Sequence, residues 1–338
     1  MVSFRLGGED GVAVEAAKWA GALGLLGWTV RTVAGAGPVD TVLPGLAMHA
    51  PDPPSLAEID GALADADLVI VENLCSLPLN PGAAAVVAAV CAGRPTLLHH
   101  HDLPWQRPEL ADFPPPPDDA AWAHVTINEL SRTELATHGM RATTIYNAFD
   151  PDPAPGQRAA TRGVLGVAGT TPLLLQPTRA LARKNIAGAI ALAEALDATY
   201  WLLGPAEDGY GPELERMVGR ARCRVLLGPP AGGCSIADAY AACDAVLLPS
   251  LWEGFGNPSV ESATYRRPLA VGPYPVAREL ASFGFEWFDA ADPAPLARWL
   301  GQPDGHLIAH NHRVAAEHFN LADLPARLSA VLQRVPGL

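Results

Sequence analysis

Lysine is almost missing from this chain. Two lysines, Lys18 and Lys184, stand against 21 arginines among 338 residues. Where a generic surface cation is needed the chain uses arginine, so a retained lysine hints at a place where a compact point charge matters. Cysteine is scarce as well. The five cysteines (Cys75, Cys91, Cys223, Cys234, Cys243) are odd in number and show no Cys-x-x-Cys spacing. That usage argues against a disulfide or metal framework and fits a reduced, cytoplasmic protein. No run of about 20 uninterrupted apolar residues occurs, so no integral membrane segment is expected. The start, Met-Val-Ser-Phe-Arg-Leu, lacks the basic and apolar regions of a signal peptide. Positive charge is short overall: the formal net charge is −13. Residues 1–159 hold 8 basic and 19 acidic residues, a balance of −11, and the remainder balances at −2. An acidic first half argues against nucleic acid and against anionic lipid as partners. The nearly neutral second half better suits an anionic ligand.

What is present is apolar material in a regular rhythm. Hydrophobic residues make up 49% of the chain, enough for the cores of two medium domains. A strand over 2–6 leads through the turn Gly7-Gly8-Glu9-Asp10-Gly11 into a helix over 12–26. There Val12, Ala16, Trp19, Ala20 and Leu23 recur at spacings of three and four. A strand over 28–33 follows. The spacing is not the dinucleotide fingerprint Gly-x-Gly-x-x-Gly, and no acid ends the second strand, which argues against a nicotinamide-dependent oxidoreductase. Further strands are expected over 67–72, 95–101, 123–128 and 142–146, with helices over 81–92 and from 129. The strand over 95–101 ends in His99-His100-His101-Asp102. Alternation puts His99 and His101 on one face and His100 on the other, so no three of these histidines converge on one ion. No metal site is expected. Phe113 and the four prolines after it form a stiff surface turn.

Residues 151–161 carry three prolines, one glycine and no apolar periodicity, and read as a linker between a first domain, 1–150, and a second, 162–319. The second half repeats the rhythm, with strands over 172–176, 199–203, 224–227, 245–248 and 268–272. Its central stretch is 244–268. The buried run Ala245–Leu248 is followed by a loop with Gly254 and Gly256, which let a backbone approach a ligand closely. Asn257 and Pro258 then signal a helix start, whose free N–H groups favour an anion. Glu253 and Glu261 frame the loop.

Residues 253–261, Glu-Gly-Phe-Gly-Asn-Pro-Ser-Val-Glu, resemble the Glu-Gly-Phe-Gly-x-Pro-x-x-Glu signature of retaining, GT-B-fold glycosyltransferases of family 4 (glycosyl transferases group 1). Arg179 and Lys184 resemble that family's Arg–four residues–Lys pair. The helix start at Asn128–Arg132 and the stretch Ile145–Asp150 are similar to two further patterns of the family. Asn128 stands for a serine there, and Ala148-Phe149 for Gly-Val. The resemblance implies an α/β GT-B fold, two Rossmann-like β/α/β domains facing across a cleft. A C-terminal helix, about 320–338, would cross back to the first domain. It implies that Glu253 faces the donor sugar and Glu261 takes the ribose hydroxyls. Backbone groups of Gly254, Phe255, Gly256 and Asn257 would bind sugar and diphosphate, as would Arg179 and Lys184. In the first domain Gly11 would offer a backbone contact to the donor, and His101, which directly precedes Asp102, would meet the reacting sugar. Acceptor contacts would come from Asp10, Arg107 and Arg132.

The activity implied is transfer of a sugar from a UDP- or GDP-sugar to a hydroxyl of a small soluble or glycan acceptor. Retention would proceed by same-face attack, without metal or cofactor. No Asp-x-Asp stands on a plausible loop. Other readings are a catalytically silent GT-B subunit that binds nucleotide sugar, or a GT-B-like phosphorylase or epimerase. A phosphorylase of this architecture needs a pyridoxal-bearing lysine, for which Lys18 and Lys184 are poor candidates. Sugar, base, acceptor and oligomeric state are not written in the sequence.

Overall fold

Runs such as Val69-Ile70-Val71 and Leu173-Leu174-Leu175 are buried on both faces, the condition of a central strand in a parallel sheet. Both become such strands. The structure, a computed structural model, describes residues 1–8 and 10–338. Glu9, part of the expected glycine-rich turn, lies outside the described residues. The chain divides into two units, Met1–Ala148 with Leu321–Leu338, and Phe149–Asn320.

The first unit is built on seven parallel strands: β1 (Val2–Ser3), β2 (Val33–Ala34), β3 (Thr41–Val42), β4 (Val69–Glu72), β5 (Thr96–His100), β6 (Trp122–Thr126) and β7 (Ala142–Thr144). Their order is β3-β2-β1-β4-β5-β6-β7. Alternation along the strands divides the core in two. Ile70, Leu97 and Val125 meet Trp19 and Leu23 of the helix Gly11–Leu25 and Leu324 and Leu328 of the C-terminal helix Leu324–Leu332. Val69, Val71 and Leu98 face the other way, onto Ile59, Leu63 and Val87. The last stretch of the chain therefore completes the first unit's core.

The second unit repeats the plan with six strands: β8 (Leu173–Gln176), β9 (Thr199–Leu202), β10 (Val225–Leu227), β11 (Ala245–Leu248), β12 (Leu269–Val271) and β13 (Phe288–Asp289). Their order is β10-β9-β8-β11-β12-β13. In both sheets the winding reverses once, between β1 and β4 and between β8 and β11. Such a reversal leaves a crevice at the carboxyl ends of the two strands, where ligands of doubly wound sheets bind.

Two expectations are corrected. The strand expected over 28–33 is reduced to Val33–Ala34, because Trp28 and Val30 pack on the core from outside the ladder. The stretch 151–161 is not linker to its end, since a helix runs from Arg158 to Leu165. That helix is anchored by polar bonds, which apolar periodicity does not reveal. Arg158 donates to Asp244 Oδ1 at 2.6 Å and to the Ala242 carbonyl at 3.0 Å, and Arg162 donates to the same carbonyl at 2.9 Å. Among the described residues no helix is long and apolar enough to cross a membrane.

Candidate active site

The crevice of the second sheet lies between the loops that follow β8 and β11, and two hydrogen bonds tie these loops together. Asn185 Nδ2 donates to the Pro249 carbonyl at 3.1 Å, and the Leu251 N–H donates to the Arg183 carbonyl at 2.8 Å. Asn185 adopts a left-handed backbone, φ 51°, and its side chain also caps the helix Ile186–Ala195 through the Gly188 N–H. Gln176, the last residue of β8, donates to the Lys184 carbonyl at 3.0 Å and accepts from the Tyr200 hydroxyl at 2.7 Å. The turn carrying Lys184 is thus fixed on both sides.

Lys184 and Glu253 meet here. The ammonium donates to both carboxylate oxygens, at 2.5 and 2.6 Å, and Ser250 donates to Glu253 Oε1 at 2.6 Å. Both side chains are buried. Burial pushes the Lys184 ammonium below its ordinary pKa, while the Glu253 charge pulls the other way. The motif assigned these residues separately, to diphosphate and to sugar. The structure brings them into one ion pair. Arg179 is close enough to Lys184 to be felt electrostatically, and its own guanidinium is paired with Glu207.

Around the glycine loop, the Phe255 ring is buried and packs near Phe149 and Phe319, each at 6.1 Å between ring centroids. The ring anchors the loop and leaves its backbone for other uses. Gly256 has φ 85°, a left-handed conformation that side chains disfavour. Asn257 occupies the position before the helix Pro258–Thr264 but makes no side-chain capping bond to it, contrary to the capping role expected. Glu261, one turn in, accepts a 2.8 Å hydrogen bond from the Tyr240 hydroxyl, and the Tyr240 ring stacks on Tyr265 at 4.5 Å. Gly254 is half-buried beside Glu253.

In the first unit the corresponding ends are those of β1, β4 and β5. Asp10 caps the helix Gly11–Leu25, accepting from the Val12 and Ala13 N–H groups at 3.1 and 3.2 Å and from Arg5 at 2.9 Å. Gly11 is the first residue of that helix. Arg107 pairs with Asp102 at 2.7 Å, and Arg132 pairs with Glu129. Each of the three residues expected at the acceptor is therefore tied to its own local partner.

His101 is buried, and its Nε2 lies 2.9 Å from Glu72 Oε2. The same oxygen is 2.8 Å from His99 Nδ1. Burial raises the Glu72 pKa, but the His99 charge and the hydrogen bonds from His101 and His99 outweigh it and bring the carboxyl down to about 2. Burial pushes His99 below the usual imidazole value. An ionised carboxylate has no proton to give, so both ring nitrogens carry theirs and donate. Close by, Glu15 is buried and pairs with Lys18; burial raises its pKa and Lys18 opposes that. On the other face His100 bonds Ser76 at 2.7 Å and His124 at 2.9 Å.

The alternation that separates His100 from its neighbours holds, and no three of these histidines converge, but the reading left out a carboxylate. Glu72 of the adjacent strand joins His99 and His101, with donor atoms within 4.8 Å of one another. Zinc ligands at about 2.0–2.1 Å in a tetrahedron stand roughly 3.3 Å apart. The observed 2.8 and 2.9 Å are hydrogen-bond lengths instead. Sequence reasoning missed Glu72, Tyr240 and Ser250. Glu72 had a signal: it is the one charged residue of the run Leu-Val-Ile-Val-Glu, at the carboxyl end of a buried strand.

These two units and their loops can be set against known proteins. No family model matches the chain. Mannosylglucosylglycerate synthase of Petrotoga mobilis is 26% identical over 327 residues, covering 82% of this chain and 75% of that one. Anabaena HepE, solved with UDP-glucose, superposes with a TM-score of 0.73 at 21% identity over 98% of this chain and 99% of its own. A glycosyltransferase from Rickettsia africae gives 0.74 at 12% identity over 99% and 97%. The chain has the GT-B fold of these glycosyltransferases. Its two Rossmann-like units are the two halves of that fold, and the Arg179–Lys184 and Glu253–Glu261 segments sit at the second winding reversal.

Proposed function

We propose that this chain is a glycosyltransferase that moves a hexosyl group from a nucleoside-diphosphate sugar to a hydroxyl of a small soluble acceptor, with retention and without a metal. The observation that carries the reading is the buried Lys184–Glu253 pair at the winding reversal, with Arg179 and the start of the helix Pro258–Thr264 beside it. A departing diphosphate needs positive charge placed in advance, and Lys184, Arg179 and backbone N–H groups supply it. Glu253 holds the ammonium until the donor arrives and then orients sugar hydroxyls. Glu261 takes the ribose hydroxyls. His101 is the group of the first unit assigned to the reacting sugar, and Asp10, Gly11, Arg107 and Arg132 are assigned to acceptor and donor contacts there.

In the transfer, the bond from the anomeric carbon to the phosphate oxygen breaks as the acceptor oxygen attacks from the same face. The acceptor proton passes to the leaving phosphate. The Petrotoga relative is named for a product containing glycerate, so an acceptor glycoside bearing a carboxylate is the first to test. An acidic first half does not by itself favour such an acceptor, and Arg107 or Arg132 would have to exchange its present partner for it.

The test is release of UDP or GDP from a panel of nucleotide hexoses, with and without acceptor, and the anomeric configuration of the product by NMR. Acceptor-dependent release, an α product from an α donor and a rate indifferent to chelator are expected. Inversion, or loss of activity on chelation, would overturn the mechanism. A chain that binds donor but never turns it over would be a silent subunit. For Glu261, Tyr240→Phe removes one hydrogen bond to a charged group, worth about 1.5–3 kcal/mol. The donor KM should rise about tenfold or more with kcat little changed, and an unchanged KM would remove Glu261 from the nucleotide.

A further inference from the structure

The end of β4 grips the end of β5 twice. Glu72 reaches the His101 ring at 2.9 Å, and Asn73 Oδ1 accepts from the His101 and Asp102 N–H groups at 3.1 and 3.3 Å. Asn73 has φ 59°, a left-handed conformation that is uncommon for a non-glycine residue and is itself fixed by its N–H bond to the His99 carbonyl at 3.0 Å. Ring and backbone of His101 are therefore both held from the neighbouring strand. Glu72 is held in turn. His99 donates to the same Oε2, and Trp19 stacks on the His99 ring at 3.9 Å. Glu72, His99 and Trp19 are all fully or almost fully buried.

We infer that Glu72 is a positioning residue for His101: it fixes the proton on Nε2 and leaves Nδ1 as the lone-pair nitrogen available to a substrate hydroxyl. An imidazole in water exchanges tautomers freely, and the partner of one nitrogen decides the role of the other. With Nε2–H committed to the Glu72 carboxylate, Nδ1 is the ring nitrogen left to face a substrate. His99 donates to Glu72 from Nδ1 and serves as the brace that holds Oε2 between the two rings. This inference rests on the reading of His101 as the group that meets the reacting sugar.

Two measurements test it separately from that reading. In long-range ¹H–¹⁵N spectra of the ¹⁵N-histidine-labelled chain, His101 should carry its proton on Nε2. The preference should weaken in Glu72→Gln and in Glu72→Asp, which keeps the charge but withdraws it by one methylene. A wild-type His101 with its proton on Nδ1 overturns the inference, whether or not any variant folds. In turnover, Glu72→Gln should lower kcat on the order of 10-fold to 100-fold, the scale seen when the partner of a functional imidazole is removed. The donor KM should stay near wild type. Combined with His101→Ala, Glu72→Gln should cost nothing further, because both act through one ring. If His101→Ala is impaired while Glu72→Gln turns over normally, Glu72 does not position the ring. If His101→Ala turns over like wild type, the assignment of His101 fails and takes this inference with it; the glycosyl-transfer reading would then still stand on nucleotide release alone.

Discussion

Lys184→Ala should lower turnover on the order of 10²–10³-fold and cost about 3–5 kcal/mol of stability. The two losses have different origins. Turnover falls because a point charge set in advance against the leaving diphosphate is gone. Stability falls because Glu253 is left charged and buried with only Ser250 as a hydrogen-bond donor among the contacts described above. A second substitution separates them. Adding Glu253→Gln removes the stranded charge, so the melting temperature should recover much of its loss while turnover stays low. Recovery of turnover in the double variant would mean that the lysine serves only to neutralise Glu253, and the diphosphate role would be lost. Thermal unfolding and steady-state kinetics on the wild type and these two variants settle the matter.

Gly256→Ala should damage both fold and donor binding. A Cβ there would stand 2.2 Å from the Tyr274 hydroxyl oxygen and 3.1 Å from Leu248 Cδ2, on a backbone at φ 85°. The left-handed conformation alone costs an alanine about 1–2 kcal/mol, and the overlap must be relieved by moving Tyr274 or the loop. Tyr274 is buried and its hydroxyl reaches the Ser259 Oγ at 3.2 Å, so it has little room. A shift of about 1 Å in the loop is enough for roughly a hundredfold loss in turnover. Since the nearest atom is the hydroxyl oxygen, Gly256→Ala combined with Tyr274→Phe should regain part of the stability. A Gly256→Ala chain with wild-type melting temperature and donor KM would show that the loop does not carry the donor.

The architecture was largely legible because parallel central strands are written as short apolar runs, and these are local signals. Leu173–Leu175 and Ala245–Leu248 could hardly be anything else. The motif residues proposed for the donor were legible as patterns for a similar reason: Arg179 lies five residues from Lys184, and Glu253 eight from Glu261. What the sequence hides is pairing across the fold. Lys184 and Glu253 are 69 residues apart, and Glu72 and His101 are 29 apart. No periodicity reports that two strand ends are neighbours. The scarcity of lysine was the nearest thing to a hint: Lys18 and Lys184 each pair with a buried carboxylate, Glu15 and Glu253. Short edge strands such as Val33–Ala34 were misjudged because an apolar run also describes residues that pack from beside a sheet.

The burial of the Phe255 ring has a consequence for selectivity. Of the nine motif residues it has the largest side chain, yet that side chain is spent on the aromatic cluster with Phe149 and Phe319. A group turned inward cannot tell one hexose from another. On the proposed function, choice among epimers falls to short polar contacts, Glu253 foremost, and changing which sugar is used should mean editing around that carboxylate while leaving the phenyl ring in place.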